Sequence, residues 1–556
     1  MRSVTSMTAI ARLLYSLGFL SRERRREFFF GLATAFSIFT LVYFSPSLFG
    51  DPNDVSLDYD SGSFDLAMDW RLASPPVDER ILIVDIDERS LAMMANDYGR
   101  WPWPRSVMAD FIALAADQAP AAIGLNIMYS DPDLNDPDGD LLLGEIIEYV
   151  PNIVLPMTRL SSDNDGLSQV TVDMIPGAVI HQAVATKQTV AMLFPMYLSA
   201  QQNAGLNNLV VDDDGLVRRF QPLWVDNGFS LPSMAHQLAK AGHQLLWRQD
   251  RDRSEYLINW RNKGAEYERV PFVDLYGALM GEESYDLDSL RDKFLVVGLT
   301  APGLALLKGT PLSPVTDDNV IIATALDDIL NETGLITLPS WIVVLTAILT
   351  FYGIATLYVR GVDPEKIDRG FVLYETVGVG ITIISISYTR FAFDLSFVVV
   401  AGLAFYSLAA VYELPAKGSM RATRRFYAAT PWANSESVYA IAFYGQDRLF
   451  DKSAAGFQAK LGASSVYPID NLFSGASIAS ELLAPIRLLF VLDAEKLGDQ
   501  IAELDEQHGV TVSRLEHNSD QNVLRYQISQ VALQATLLLL EEVHGGRSDD
   551  DSVETG

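Results

Sequence analysis

Four long stretches almost free of charge divide this chain of 556 residues unevenly, and their spacing limits what it can fold into. They are Phe28–Gly50, Thr333–Val359, Phe371–Thr389, which Glu375 interrupts, and Leu395–Tyr412. A helix needs about 20 apolar residues to cross a bilayer. The spacing therefore predicts a membrane protein with four transmembrane helices. It holds one large domain between the first two helices and a small one after the last.

The first stretch predicts an uncleaved anchor. It is preceded by Arg22, Arg24, Arg25 and Arg26, and basic residues also precede the apolar core of a secretory signal peptide. A cleaved signal has a shorter apolar core and a small-residue cleavage site. This run is long and continues into Ser-Pro-Ser-Leu-Phe-Gly-Asp without an Ala-x-Ala.

Basic residues favour the cytoplasmic ends of transmembrane helices. They cluster before the first helix, between the second and third (Arg360, Lys366 and Arg369) and after the fourth, whereas the turn before the fourth has only Arg390, near Asp394. Both termini are therefore predicted in the cytoplasm. The predicted order is a cytoplasmic N-terminus at 1–27, a helix at 28–47, a periplasmic domain at 48–337, helices at 338–359, 371–389 and 395–412, a cytoplasmic domain at 421–546 and a disordered tail at 547–556.

Three charged residues within or between the apolar stretches have ordinary explanations. Glu375 lies five residues into its stretch, so we interpret it as an acid that reaches the cytoplasmic headgroups rather than as a proton relay. Arg390 and Asp394 are predicted to pair and cap the turn at the outer face.

Composition excludes several classes of function. The net charge is −30, and 44 acidic against 19 basic residues lie between Asp51 and Glu332. Such a surface repels phosphate backbones, so nucleic acid is excluded as a partner. The chain has no cysteine, which excludes disulfides, zinc–thiolate sites and cysteine nucleophiles and suits an oxidising periplasm.

The large domain alternates short apolar runs with amphipathic ones, which is typical of an α/β fold with a largely parallel sheet. Asp212–Gly215 is a strong turn signal inside a predicted hairpin at 208–224. Strands are predicted at 80–87, 121–128, 152–156, 189–194, 256–260 and 294–298, and helices at 105–118, 140–149 and 231–241.

The same domain resembles a known family. From Phe64 to Leu326 the chain is similar to a CHASE domain of the second type, a sensory module found outside the membrane in cyclases and histidine kinases. No single motif is specific, but their order is, and three apolar helices follow as is usual for the family. The matching motifs are Phe64–Arg71, Ile83–Leu91, Trp101–Arg105, Ala122–Tyr129, Asp213–Arg219 and Phe294–Ala301.

The chain departs from the family pattern at two positions. The second strand commonly carries an aspartate where Asn126 stands, and an acid commonly precedes Thr-Pro where this chain has Lys308-Gly-Thr-Pro. If those acids bind a ligand or ion in the family, this chain has lost or altered that site.

Candidate ligand-binding residues cluster where strands of a parallel sheet end, because open α/β sheets place ligands there. Asp85, Asp87 and Glu88 end the first predicted strand, and Asn126 ends the second. Arg105 and Arg219 could hold an anion, and Trp101 and Trp103 could form an aromatic floor. The alternative is structural: Asp87 caps the next turn, Arg105 pairs with it, and the tryptophans pack on the sheet edge.

Metal and enzyme motifs are weak. In Asp131–Asp140 an EF-hand register puts Leu134 at the first ligand position and includes two prolines, so an acidic loop is favoured over a calcium site. Histidines His236 and His243 are predicted on a helix face rather than at a metal. No phosphate-binding loop and no nucleophile elbow occur, and no cofactor is predicted.

The cytoplasmic end predicts a small α/β domain with a ferredoxin-like βαββα core. Strands are expected at 438–443, 488–492, 510–514 and 523–528, the last two as a pair, and helices at 452–461, 494–508 and 531–544. A nucleotide cyclase needs two metal-binding aspartates. Here Asp447 follows the first strand, but no Gly-Asp hairpin follows it.

The resemblance and layout together predict a bacterial inner-membrane signal-transduction protein with a periplasmic sensory domain and a non-catalytic cytoplasmic interaction domain. The expected partners are the lipid bilayer, a cytoplasmic or membrane protein and a periplasmic small-molecule ligand, with homo-oligomerisation left open. The alternatives are a structural subunit or scaffold of an envelope complex, and a degenerate nucleotide cyclase receptor.

Overall fold

The structure is a computed structural model. It describes residues 22–49, 61–197, 203–243, 255–262, 266–362, 364–393, 395–429, 437–469, 486–507 and 509–515, together with 527 and 531. The chain divides into two compact units. The sheet unit comprises residues 44–343 and 376–396, and the bundle unit comprises residues 1–43, 344–375 and 397–556.

The described helices are α1 (Arg22–Tyr43), α2 (Ser45–Phe49), α3 (Ser61–Asp69), α4 (Glu88–Tyr98), α5 (Arg105–Ala116), α6 (Pro137–Tyr149), α7 (Met234–Ala241), α8 (Phe272–Leu279), α9 (Asp318–Leu330), α10 (Ser340–Val359), α11 (Pro364–Tyr388), α12 (Ser396–Ala429), α13 (Asp447–Leu461) and α14 (Gly498–Asp505).

The described strands are β1 (Ile81–Ile86), β2 (Ala122–Asn126), β3 (Ile153–Arg159), β4 (Val179–Ile180), β5 (Met192–Leu193), β6 (Ala204–Leu206), β7 (Val210–Val211), β8 (Val217–Phe220), β9 (Leu223–Asp226), β10 (Phe229–Pro232), β11 (Tyr256–Leu257), β12 (Glu268–Pro271), β13 (Phe294–Leu299), β14 (Leu307–Thr310), β15 (Ser313–Asp317), β16 (Ile336–Thr337), β17 (Phe391–Ala392), β18 (Val438–Tyr444), β19 (Val466–Ile469), β20 (Ile486–Leu492) and β21 (Val510–Leu515).

The sheet unit is built on a seven-stranded sheet in the order β12-β1-β13-β2-β3-β5, with β6 also paired to β3. Every pairing is parallel except that of β3 with β5. Helices α4, α5, α6 and α8 pack on one face, and α7 and α9 pack on the other. Strands covered on both faces must be apolar throughout, which explains the unbroken run Ile81–Val84. The mixed α/β fold with a largely parallel sheet is thus confirmed.

Three predicted elements of this unit differ in the structure. The sheet strand expected at 189–194 is the short antiparallel β5. The helix expected from Leu231 begins at Met234, because Phe229–Pro232 forms β10 and the Ser233 hydroxyl caps the helix by accepting from the His236 N–H. The strand expected at 256–260 shrinks to β11, which pairs with β8 in a separate three-stranded sheet.

The predicted hairpin turn is confirmed. Strand β7 pairs antiparallel with β8, and the Gly215 N–H donates to the Asp212 carbonyl between them. Gly215 has φ of +86°, a conformation that residues with a side chain rarely adopt.

The bundle unit contains apolar helices whose aromatic side chains stack on one another. Phe29 of α1 stacks on Tyr358 of α10 with ring centroids 4.8 Å apart, and Phe371 of α11 stacks on Tyr406 of α12 at 4.5 Å. Residues Arg26–Tyr43, Ser340–Val359 and Lys366–Tyr388 are long and apolar enough to cross a membrane, and Ser396–Tyr412 is a shorter apolar stretch. These are the four stretches that the sequence singled out.

Two of these helices extend beyond their expected limits. Helix α11 begins at Pro364 rather than Phe371, so Glu375 lies near its middle and not close to its end. One carboxylate oxygen of Glu375 is buried without a hydrogen-bond partner among the described residues. Helix α12 continues past Tyr412 to Ala429 and takes in the start of the segment expected to be the small domain.

The predicted pair of Arg390 with Asp394 is replaced by another contact. The Arg390 guanidinium lies 3.4 Å from the Glu332 carboxylate, at the end of the sheet unit's last long helix. Asp394 lies outside the described residues.

The C-terminal part of the bundle unit has the ferredoxin-like topology. Its described elements follow the order β18-α13-β19-β20-α14-β21, and the strands form an antiparallel sheet in the order β19-β20-β18-β21. The 510–514 strand was expected to pair with 523–528, but its described partner is β18. The expected partner lies outside the described residues except for 527, and the expected helix at 531–544 does so except for 531.

Candidate functional site

The carboxyl ends of β1, β13 and β2 meet at one edge of the sheet, as the sequence predicted for Asp85 and Asn126. The register aligns Asp85 of β1 with Gly298 of β13, and Gly298 with Asn126 of β2. The carboxyl-terminal residues of three neighbouring strands therefore lie side by side, and we call this place the sheet edge.

Asp85 is held by an arginine that sequence reasoning missed. Arg269 of β12 donates from Nε to one Asp85 carboxylate oxygen at 2.7 Å and from Nη2 to the other at 2.6 Å. Such two-pronged pairing is the strongest geometry for this ion pair. The signal in the sequence was weak, because the two residues are far apart along the chain.

The same guanidinium reaches the start of α9. Arg269 Nη1 donates to the Asp317 carboxylate at 3.1 Å, and the other Asp317 oxygen caps α9 by accepting from the Val320 N–H. Arg269 thus links the end of β1 to the first turn of α9.

Asn126 contacts the first two residues of α9. Its Nδ2 lies 2.9 Å from both the Asp318 carboxylate and the Asn319 side-chain oxygen. Burial raises the pKa of Asp318 to about 6, and the neighbouring Asp317 charge acts in the same direction. An aspartate at position 126 would put a second carboxylate against Asp318, so the amide here is a physically sound departure from the family pattern.

Some buried hydrogen-bonding atoms at the sheet edge have no partner among the described residues. Gly298 allows α9 to approach closely, because a Cβ there would lie 2.2 Å from the Asn319 side-chain oxygen. Asn319 Nδ2 and Thr300 Oγ1 are buried without a hydrogen-bond partner among the described residues. Buried polar atoms are normally paired, so this edge can still accept a polar ligand or a shifted neighbour.

The remaining acids after β1 are structural. Asp87 caps α4 by accepting from the Ser90 N–H at 2.8 Å, as the structural alternative predicted. Glu88 is exposed in the first turn of that helix.

Arg105 does not pair with Asp87. Its Nε lies 3.6 Å from the Asp140 carboxylate, and its guanidinium stacks over the Tyr129 ring at 4.0 Å. Arg105 begins α5 and Tyr129 follows β2, so Arg105 belongs to a local cluster with Tyr129 and Asp140 and does not join the sheet edge.

The tryptophans are part of the core. Trp103 is buried and packs 5.3 Å from Phe272 of α8, and Trp101 meets Trp103 edge-on at 4.9 Å. The expected packing against the edge of the sheet is therefore replaced by packing against a covering helix.

Arg219 lies on β8, outside the seven-stranded sheet, where it donates to Asp212 at 2.9 Å. Its neighbour Arg218 was missed, although it is the arginine of the Asp-Gly-x-x-Arg motif. Arg218 is buried and pairs with three carboxylates, those of Asp65, Asp212 and Asp214. The motif thus reads as a structural anchor of the hairpin.

The acidic loop is also structural where it is described. Asp136 caps α6 by accepting from the Gly139 N–H at 3.0 Å, and Asp133 accepts from the Asn135 N–H at 2.9 Å. Among the described residues no group of acids and histidines is placed to hold a metal ion.

The far end of α9 enters a buried polar network. Arg261 lies 2.6 Å from Asp327 and 3.1 Å from Asp328, and the Tyr267 hydroxyl donates to Asp327 at 2.9 Å. Burial raises the pKa of Asp328, and the Arg261 charge acts against that rise. Sequence reasoning missed this network. Its signal was the pair of adjacent acids, Asp327 and Asp328, in an otherwise apolar stretch of α9.

A short path leads from this network to α10. The Thr333 hydroxyl donates to Asp328 at 2.8 Å, and the Leu335 backbone bonds with Leu257. Residues Ile336–Thr337 then form β16, and α10 begins at Ser340. Helix α9 therefore runs from the sheet edge to the buried network, and residues 331–339 connect that network to α10.

Comparison with known proteins identifies this unit. A family model described as the CHASE2 domain matches residues 35–357, more than half of the chain. Neither a curated protein nor a solved structure matches the chain. The resemblance carried by the ordered motifs is confirmed: the chain belongs to the CHASE2 domain family, whose domains are extracellular sensory modules of signalling proteins.

Proposed function

We propose that this chain is a bacterial inner-membrane receptor whose periplasmic sensory domain passes a change at the sheet edge to its transmembrane helices. The observation that supports this most is α9. Its amino end holds the sheet edge through Asp317 and Asp318, and its carboxyl end holds the network that precedes α10. Because both ends of α9 are bonded to their surroundings, a displacement of its amino end would also displace the network at its carboxyl end.

A signal can act here only by preferring one of two arrangements. The unpaired Asn319 Nδ2 and Thr300 Oγ1 offer new hydrogen bonds in a second arrangement. A polar ligand at the edge, or a proton on Asp318, would favour that arrangement and draw α9 with it.

The proposed topology rests on a strand pairing as well as on basic residues. Strand β16, just before α10, pairs in parallel with β17, between α11 and α12. The turn between the third and fourth apolar helices thus belongs to the sheet unit, which supports placing both on the periplasmic side. The basic exits from α10 and α12 then face the cytoplasm.

The ferredoxin-like domain is proposed as a non-catalytic module that passes the signal to a separate cytoplasmic or membrane protein. Asp447, the position where a cyclase would need a metal ligand, pairs with Arg487 at 3.1 Å. An arginine already pairs with this exposed carboxylate and would compete with a metal ion for it. Nucleotide turnover by the full chain that is lost in Asp447→Ala would instead favour a degenerate cyclase.

The cysteine-free chain makes the two-sided layout directly testable. Leu167→Cys places a thiol at an exposed position of the sheet unit, and Lys452→Cys places one at an exposed position of α13. In bacterial spheroplasts, a membrane-impermeant maleimide is expected to label the first variant only. Detergent is expected to make both variants react, which controls for thiol reactivity.

Labelling of Lys452→Cys in intact spheroplasts would place the ferredoxin-like domain outside and overturn the proposed direction of signalling. Protection of Leu167→Cys would equally contradict it.

A further inference from the structure

A surface groove of the sheet unit has a chemistry that the proposed function does not use. It lies between the acidic loop and α6 and has a volume of about 420 Å³. We propose that this groove binds a small organic cation with an apolar body, of the diamine class. This goes beyond the proposed function, because binding here does not require any signal to cross the membrane.

Large apolar side chains of the groove are exposed to water, which costs free energy that a bound ligand would recover. Leu134 of the loop is 86% exposed, Leu141 of α6 is 69% exposed and Met196 is 38% exposed. All three line the same concavity. They give the groove an apolar lining, and a concavity of this size suits a small ligand.

The charges of the groove are of one sign. Glu145 and Glu148 line it from one face of α6, three residues apart, and Asp133 lines it from the loop. Neither glutamate forms an ion pair among the described residues, and the lining residues include no lysine or arginine. The nearby Arg105 is buried and paired with Asp140. An anion would be repelled here, and a cation would find two unpaired carboxylates.

The floor of the groove is fixed before any ligand arrives. The Tyr197 hydroxyl donates to one Asp140 oxygen at 2.8 Å, and the Asp133 N–H donates to the other at 2.6 Å. Arg105 completes this arrangement from beneath. A preformed floor lowers the entropy cost of binding.

Gly144 provides a way to close the groove without disturbing the fold. It lies on the groove wall within α6, where a Cβ would meet only the Tyr197 ring, whose nearest atom Cδ1 lies at an ordinary 3.5 Å. A leucine at this position favours the helix more than glycine does. Gly144→Leu is therefore expected to fill the groove while α6 stays folded.

The test is calorimetric titration of the detergent-solubilised full chain with 1,8-diaminooctane, whose two ammonium groups flank eight methylenes. Uncharged 1,8-octanediol is the matched control ligand. We expect saturable binding of the diamine at one site and none of the diol. We expect Glu145→Gln/Glu148→Gln and Gly144→Leu each to weaken binding by about tenfold or more.

Glu282→Gln/Glu283→Gln is the matched control variant, because it removes two exposed carboxylates away from the groove, after α8. It is expected to bind the diamine like the unmodified chain. Equal loss in this variant would show a diffuse counterion effect, and unchanged binding in Gly144→Leu would show a different location. Saturation by a lysine-rich peptide but not by the diamine would show a protein partner. Each of these results would overturn the proposal.

Discussion

The two ends of α9 are built from the same chemistry, aspartates facing an arginine, but they differ in how much water reaches them. At the carboxyl end, the side chain of Arg261 is 3% exposed and those of Asp327 and Asp328 are nearly as buried. At the amino end, the side chain of Arg269 is 33% exposed. The buried end is expensive to break, whereas the sheet edge can change its partners at low cost.

This difference suits a helix that responds at one end and transmits at the other. Under the proposed function, a ligand or proton has to reach the sheet edge, which favours the more exposed end of α9 for that role. Under the same proposal, the network beside Thr333 has to hold its geometry for a shift of α9 to reach α10. The following predictions test whether the two ends behave as differently as their burial indicates.

The largest expected effect comes from the buried end. Arg261→Met leaves Asp327 and Asp328 without their cation inside the protein, and breaking a buried pair in this way costs about 3–5 kcal/mol. Denaturant unfolding of the full chain would measure the loss of unfolding free energy. Arg269→Met is the matched control at the amino end of α9 and is expected to cost clearly less, because the Arg269 side chain is itself one third exposed and water already weakens its ion pairs. Equal losses would contradict the comparison.

A smaller effect on the free energy of unfolding is expected from pH, through Asp318 at the amino end of α9. Because the pKa of Asp318 is raised to about 6, the folded chain binds this proton more tightly than the unfolded chain. The stabilisation is complete below pH about 4, the ordinary aspartate pKa, and is lost as the pH rises through about 6, a change on the order of 3 kcal/mol.

Asp318→Asn is expected to flatten this pH dependence while its amide oxygen still accepts from Asn126. Unfolding free energies measured from pH 4 to pH 7 would show it. Asp97→Asn, an exposed change on α4, is the control and should leave the profile intact. A profile unchanged by Asp318→Asn would mean that Asp318 is ionised throughout.

Local patterns in the sequence predicted much of this arrangement. The apolar run Ile81–Val84 predicted a buried strand. The structural interpretation of Asp87 as a helix cap is confirmed, because a cap depends only on a residue three positions away. The family motifs placed the sensory unit. The order of strands and helices near 438–515 predicted a ferredoxin-like core, although its last strand was given a different partner.

What the sequence did not predict depends on distant contacts. Arg269 meets Asp85 across two neighbouring strands, and Arg261 meets Asp327 through the packing of α9, so neither pair has a signal in local spacing. Arg105 was assigned to the nearer Asp87 for the same reason. The start of α11 was placed too late because the charged residues at 364–369 do not fit an apolar helix; whether Glu375 reaches the headgroups stays a prediction.

The most direct test of the central claim, that the sheet edge is coupled to the apolar helices, is a distance between spin labels on the bundle. Phe39→Cys on α1 and Leu349→Cys on α10 place labels at exposed positions of the otherwise cysteine-free chain. The account predicts that adding Asp318→Asn at neutral pH shifts the measured distance distribution by about 2 Å, the scale of known helix shifts. Glu282→Gln should leave it unchanged. Superimposable distributions with and without Asp318→Asn would contradict the coupling and favour a structural scaffold.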